Sequence, residues 1–284
     1  MGRSIVLLAL ALAACAGPTP APDALFQDAR ALAVTPDGTL WVVDADAVVA
    51  LRGGVVVRRL SGVGTGDGAF LDPVDVDPTN GQTIYVADRA AGTVLQFTAE
   101  GRLVREIVVP DVDPAEVVRQ SVGPVRRRGV PVAVAAGPGG TLYVADAGRS
   151  HVLALDAEGA VDRVLGAGLL VEPVDLAVDG QTLWVADAGR GGLQAFDPFG
   201  APGRFRPTST ELGRLVSVSV SQGRFVIVGV EGPVEQDGDS LAYLVDAPGL
   251  RGGVYLGART LYLTPTGFVG SAVADVGLGD AERD

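Results

Sequence analysis

The chain has 284 residues, with 34 acidic side chains against 22 basic ones and a formal net charge of −12. So negative a surface argues against nucleic acid as a partner, because phosphate binding is driven by basic side chains. One cysteine allows no internal disulfide, and a hydrophobic fraction of 48% is enough to fill one large core.

Residues 1–14, MGRSIVLLALALAA, place Arg3 ahead of an apolar run from Ile5 to Ala14. The run is about half the ~20 residues that cross a bilayer, so it reads as a secretory signal peptide. Leu12-Ala13-Ala14-Cys15 resembles the bacterial lipobox, in which cleavage precedes a cysteine that is then lipidated. The resemblance implies that Cys15 is the lipidation site and leaves no thiol for nucleophilic or redox chemistry. Ala16 stands where an aspartate would resemble an inner-membrane retention signal, so the expected location is the bacterial cell envelope, lipid-anchored at the periplasmic face of the outer membrane. Residues 15–24 are Pro-rich and polar, suited to a short extended tether between lipid and domain.

From residue 25 to residue 276 helix signals are nearly absent, and short Val- and Leu-rich runs are punctuated by many of the 40 glycines and 18 prolines. One strand recurs as TLWVVD to Asp44, TIYVAD to Asp88, TLYVAD to Asp146 and TLWVAD to Asp187. Each copy follows an apolar run and a glycine-bearing turn, as in ALAVTPDG and VDLAVDG, which is a hairpin signal. A third run and a fourth come after the aspartate. Four antiparallel strands in a unit of about forty residues predict an all-β fold, a β-propeller of four-stranded blades. The strands are apolar on both faces, as expected of sheets stacked between neighbours. The interval from Asp88 to Asp146 is the longest, so an insertion is expected there. Residues 277–284 read as an acidic tail.

The segment GVGTGDGAFLDPVDVDPTNGQTIYVADRAAGTVLQF resembles an NHL repeat. Four such units cover about residues 30 to 206. RLVSVSVSQGRFVIVG keeps two strands of a fifth blade, with Gly229 in place of the aspartate. The last stretch can be framed with RTLYLTPTG as either the second or the first strand of blade six. On the former framing the N-terminal ALFQ is expected to supply the outer strand that closes a six-bladed ring, and five blades with a frayed end is the alternative.

Asp44, Asp88, Asp146 and Asp187 admit two readings. Carboxylates from several blades converging on one pore would hold a Ca²⁺-like ion. Alternatively, each accepts backbone N–H groups one and two residues on and pins the following turn. One copy per unit favours the structural reading. Lactonase-like propellers are the enzymatic rival, and that resemblance implies a divalent metal held by Glu, Asn and Asp. The sole asparagine, Asn80, lies in the turn between first and second strands, at the opposite end of a blade from the aspartates. His151 is the only histidine; Ser150 beside it points to the other face of a strand, so the two are badly placed to share a proton. GTGDGA, residues 64–69, loosely matches a dinucleotide loop, but a strand follows it instead of a helix. No catalytic residue, metal or cofactor is assigned.

Two segments break the repeat. Residues 110–131 carry a helix start at Asp113, Pro114 and Glu116, then Arg126, Arg127 and Arg128. VEGPVEQDGDS, with Glu231, Glu235, Asp237 and Asp239, is expected to form a stretched loop between the second and third strands of blade five. Both would then decorate one face with opposite charge, as candidate binding loops on a rigid scaffold. The reading is a monomeric, lipid-anchored envelope propeller acting as a noncatalytic binding or scaffolding module for a protein, peptide or glycan. A metal-dependent hydrolase or lyase is the alternative.

Overall fold

The computed structural model describes residues 25–60, 68–78, 81–113, 128–237, 240–243, 249–256 and 259–270. The signal, Cys15, the tether, Asn80, the expected helix after Asp113, Arg126, Arg127, Asp239 and the acidic tail lie outside them, as does most of GTGDGA.

Six sheets form a ring. Blade one is β1 (Ala29–Val34), β2 (Leu40–Asp44), β3 (Ala47–Arg52) and β4 (Val55–Leu60). Blade two is β5 (Pro73–Asp77), β6 (Thr83–Asp88), β7 (Thr93–Thr98) and β8 (Leu103–Val108). Blade three comprises β9 (Pro131–Ala136), β10 (Leu142–Asp146), β11 (His151–Leu155) and β12 (Val161–Leu165), and blade four β13 (Pro173–Asp179), β14 (Thr182–Asp187), β15 (Gly192–Phe196) and β16 (Pro202–Pro207). Blade five holds β17 (Leu215–Ser221), β18 (Arg224–Gly229), β19 (Gly232–Asp237) and β20 (Ser240–Tyr243); blade six shows β21 (Gly252–Leu256), β22 (Arg259–Leu263) and β23 (Phe268–Gly270). Neighbouring strands pair antiparallel in chain order, so five blades are four-stranded and the sixth is three-stranded among the described residues.

The two-sided apolar strands are explained by where the core lies. Separate clusters of buried side chains fill each gap between adjacent blades, such as Trp41, Val43 and Val48 against Phe70, Ile84 and Phe97 between blades one and two. The gap between blade six and blade one is filled in the same way, by Leu261 and Leu263 against Leu40, Val42 and Leu51. The second and third strands of a blade therefore need apolar groups on both faces, unlike the exposed outer strands such as β4, and the ring closes on hydrophobic contact.

The N-terminal segment does not run as an outer strand of blade six. The amides of Leu25 and Phe26 donate instead to the Thr266 carbonyl, in the turn between β22 and β23. The reason is that residues 26–28 are engaged by blade one, where Gln27 and Asp28 donate their amides to Asp44 Oδ1, each at 2.8 Å. Phe26-Gln27-Asp28 thus serves blade one as Phe70-Leu71-Asp72 serves blade two.

Blade five shows what replaces the missing aspartate. Val230 still donates its amide to the Arg214 carbonyl, as the residue after the aspartate does in the first four blades, but the link from blade four packs against Gly229 itself. A Cβ at Gly229 would overlap the Leu212 carbonyl oxygen, a backbone atom that cannot swing aside. At Gly267 an added Cβ would meet nothing within 4 Å. Gly229→Ala should lower the stability to urea by about 2–4 kcal/mol, while Gly267→Ala should stay within about 0.5 kcal/mol of the parent.

Candidate functional site

The repeat aspartates are the first groups to place. Asp88 accepts the amides of Leu71 at 2.6 Å and Asp72 at 3.0 Å, and that of Ala91 in its own turn at 3.0 Å. Asp187 accepts Val171, Glu172 and Arg190, and Asp146 accepts Val130 and Gly148. The turn-pinning reading is therefore incomplete. The partners common to all four carboxylates lie 15 to 17 residues earlier, on the link entering the blade. Each carboxylate ties strand two to the chain that leads into strand one. All four are buried, each inside its own blade.

That arrangement does not fit a divalent ion. Most of the oxygens accept amide hydrogens within single blades, although Asp146 Oδ2 is buried without a hydrogen-bond partner, and no group of three or more His, Cys, Asp or Glu among the described residues is placed to hold a metal. Replacing Asp187 by alanine would strip the acceptor from three amides. A loss of about 2–4 kcal/mol in denaturant unfolding is expected, with Asp187→Asn in between because it keeps one oxygen.

His151 lies opposite Asp146 in the ladder between β10 and β11 and is 1% exposed. Its Nε2 is 3.8 Å from Asp146 Oδ2, too far for a hydrogen bond. Burial holds the imidazole below its ordinary pKa, against the pull of the Asp146 charge. Ser150, in the left-handed region at φ 50°, turns its hydroxyl away to donate to the Val171 carbonyl at 2.8 Å. The two side chains diverge, but not for the expected reason: Ser150 lies in the turn ahead of β11, outside the strand, and its left-handed backbone aims the hydroxyl at the next link.

The candidate loops separate. Arg128 sits on the link into blade three and donates to the Ala91 carbonyl at 2.7 Å and to Glu106 at 3.4 Å. Glu231 is exposed in the turn between β18 and β19, at the same end of the ring. The expected long loop there is corrected: Gly232–Asp237 is a regular third strand, entered directly from Val230-Glu231. Glu235 lies within it and accepts the Tyr262 hydroxyl of blade six at 2.8 Å. Asp237 ends that strand, opposite Ser240, and so belongs to the other end of the blade. Among the described residues, Arg128 and Glu231 share the link end, whereas Glu235 and Asp237 do not; Arg126, Arg127 and Asp239 lie outside them.

What the linear sequence conceals is the channel. The first strands of the six blades line a central cavity of about 690 Å³. Asp75 and Asp175 stand at the same repeat position, two residues after Pro73 and Pro173, each just past a bulge in the strand. Each carboxylate reaches the next blade: Asp75 accepts Val134 N–H at 2.8 Å and Asp175 accepts Val218 N–H at 2.7 Å. Asp77 does the same with Ala136, and Asp179 with Gly223. The repeated PVDV and PVDL were the available signal. Burial pushes Asp75 up to about 6, helped by the Asp77 charge and opposed by its two amide donors. Asp175 is raised well above the usual range by burial, then by the Asp75 charge.

A raised carboxyl binds its proton more tightly in the folded state, so its stability contribution is intact below the ordinary value of 3.8 and is lost as pH climbs through about 6. For Asp75 the loss should be on the order of 3 kcal/mol. Urea midpoints measured across that range should fall with rising pH more steeply for the parent than for Asp75→Asn, whose side chain does not titrate; equal slopes would refute the assignment.

No family model matches the chain, and no curated protein matches it. Among solved structures, selenomethionine-substituted virginiamycin B lyase from Staphylococcus aureus aligns with a TM-score of 0.62 at 13% identity, over 89% of this chain and 82% of that one. A catalytically inactive histidine-to-alanine variant of the same lyase, with quinupristin, aligns at 0.60 and 10% identity over 86% and 94%. A streptogramin B lyase aligns at 0.58 and 14% identity over 86% and 78%. At these identities the likeness is one of fold: the chain is a β-propeller of the architecture those lyases share.

Proposed function

We propose that this chain is a lipid-anchored envelope propeller acting as a noncatalytic binding module, with a peptide, glycan or protein segment seated in the central channel. The observation that carries this reading is the channel. A cavity of about 690 Å³ lies within the size range of ligand clefts and is framed by six strands fixed to one another. Backbone edges, Ser217, Ser221 and the raised carboxyls of Asp75 and Asp175 offer hydrogen bonds to a polar ligand, between apolar walls such as Val132 and Val178. The side chains most suited to chemistry are engaged elsewhere: the repeat aspartates hold amides, and His151 is shut inside blade three.

A second reading, a propeller lyase or hydrolase, is favoured by the fold of the neighbours and by Asp75, a carboxyl able to exchange a proton near neutral pH. One experiment separates the two. A panel of peptides and cell-wall oligosaccharides is screened by thermal shift, and each hit is titrated calorimetrically and recovered. Ser221→Trp, which fills the channel mouth at the end bearing the turns between first and second strands, should weaken binding about tenfold or more. Val56→Trp on the outer strand should leave it unchanged. Undiminished binding by Ser221→Trp would defeat the channel reading, and recovery of the ligand chemically altered would favour the enzyme.

A further inference from the structure

The ring has two unlike ends. One bears the links between blades and the turns between second and third strands; the other bears the remaining turns. Exposed aliphatic side chains recur at the link end. Leu71 is 52% exposed, Val130 37%, Val171 57%, Val230 39% and Leu25 43%. Their level is set by the carboxylate ties. Leu71 and Val171 occupy the same repeat position, each donating its amide to a repeat aspartate, and Val130 is one position on. Val230 sits in the turn between β18 and β19, bonded to the link of blade five, and Leu25 is bonded to the corresponding turn of blade six. The five therefore lie around one end of the ring, on five different blades.

Among the described residues, most charged side chains at this end are paired: Arg30 and Arg89 with Asp72, Arg128 with Glu106, Arg149 with Asp111, and Arg214 with Glu172. Beside these pairs stand the exposed aliphatic side chains, with Glu231 among them. What lies opposite this end follows from chain connectivity. Leu25 enters the fold at this end, and only residues 16–24 separate it from Cys15. That Pro-rich stretch spans at most about 30–35 Å from Cys15 to Leu25. A lipid on Cys15 would thus hold this end against its own bilayer, where contact is intramolecular and weak apolar contacts are enough to orient the domain.

We infer that the link end of the propeller docks on the bilayer that holds the lipid, seating Leu25, Leu71, Val130, Val171 and Val230 at the interface and turning the opposite channel mouth toward the periplasm. The inference rests on the lipid-anchored reading. A rival apolar patch, Val55, Val56 and Val57 on the outer strand β4, begins at the other end and has no such connection to the tether.

The test uses the full lipidated protein in phosphatidylcholine vesicles containing lipids brominated near the headgroup. Single tryptophans are placed by Leu71→Trp, Val171→Trp, Val56→Trp and Phe199→Trp; Phe199 is 85% exposed in the turn between β15 and β16, at the far end. Fluorescence at positions 71 and 171, taken relative to the parent with its own two tryptophans, should be quenched about twofold, and that at 56 and 199 hardly at all. Quenching at 56 or 199 instead, or at none of the four while the protein floats with the vesicles, overturns the docking and leaves the anchor standing. Intact mass settles the anchor separately: an unacylated Cys15 removes the reason for choosing a bilayer and overturns the proposal by that route.

Discussion

One interaction recurs at the joints of this molecule: a buried carboxylate at the end of a second strand, receiving amides from the link that precedes the blade and, in three of the four copies, from the turn that follows. A carboxylate taken out of water needs its lone pairs filled, and charge-assisted bonds from backbone N–H groups fill them at roughly twice the strength of neutral ones. The result fixes three pieces of chain with one side chain. The spacing of the blades, the course of the links and the level at which link residues emerge all follow from it. Where the carboxylate is missing, at Gly229, a backbone carbonyl occupies the space, so the joint is held by close approach instead of by charge.

A second family of carboxylates works at right angles to the first. Asp75, Asp77, Asp175 and Asp179 bond across the channel wall to the next blade. The repeat aspartates organise each blade along the chain, and these organise neighbours around the ring. Burial raises Asp75 and Asp175 above the ordinary carboxylate range, with the Asp77 charge adding to it at Asp75 and the Asp75 charge at Asp175. A propeller that carries such groups in its channel trades stability for polarity at the place where a ligand would sit.

Much of the fold was legible because the repeat is written several times. The strand ending at Asp44, Asp88, Asp146 and Asp187 gave the blade, its length and its antiparallel order. Two features resisted. The partners of those aspartates are distant in sequence, and a side chain's local spacing reveals only the near ones, such as Gly148 for Asp146. The strand Gly232–Asp237 was hidden by its composition, since Gly, Pro, Glu, Gln and Asp are poor strand formers. It is a strand because β18 and β20 lie on either side of it and Tyr262 of blade six takes up Glu235. The channel was less legible still. PVDV and PVDL look like ordinary alternating strands, and only the closed ring shows that their aspartates face a shared cavity.

The ring is joined at blades one and six by apolar contact and by the amides of Leu25 and Phe26 on the Thr266 carbonyl. In other respects the joint resembles those between the other blades, but here no peptide bond runs across it. Any pull along the N-terminal segment arrives first at these few bonds. Tension on that segment would load the bonds of Leu25, Phe26 and Ala29 to the turn of blade six before it strained any sheet.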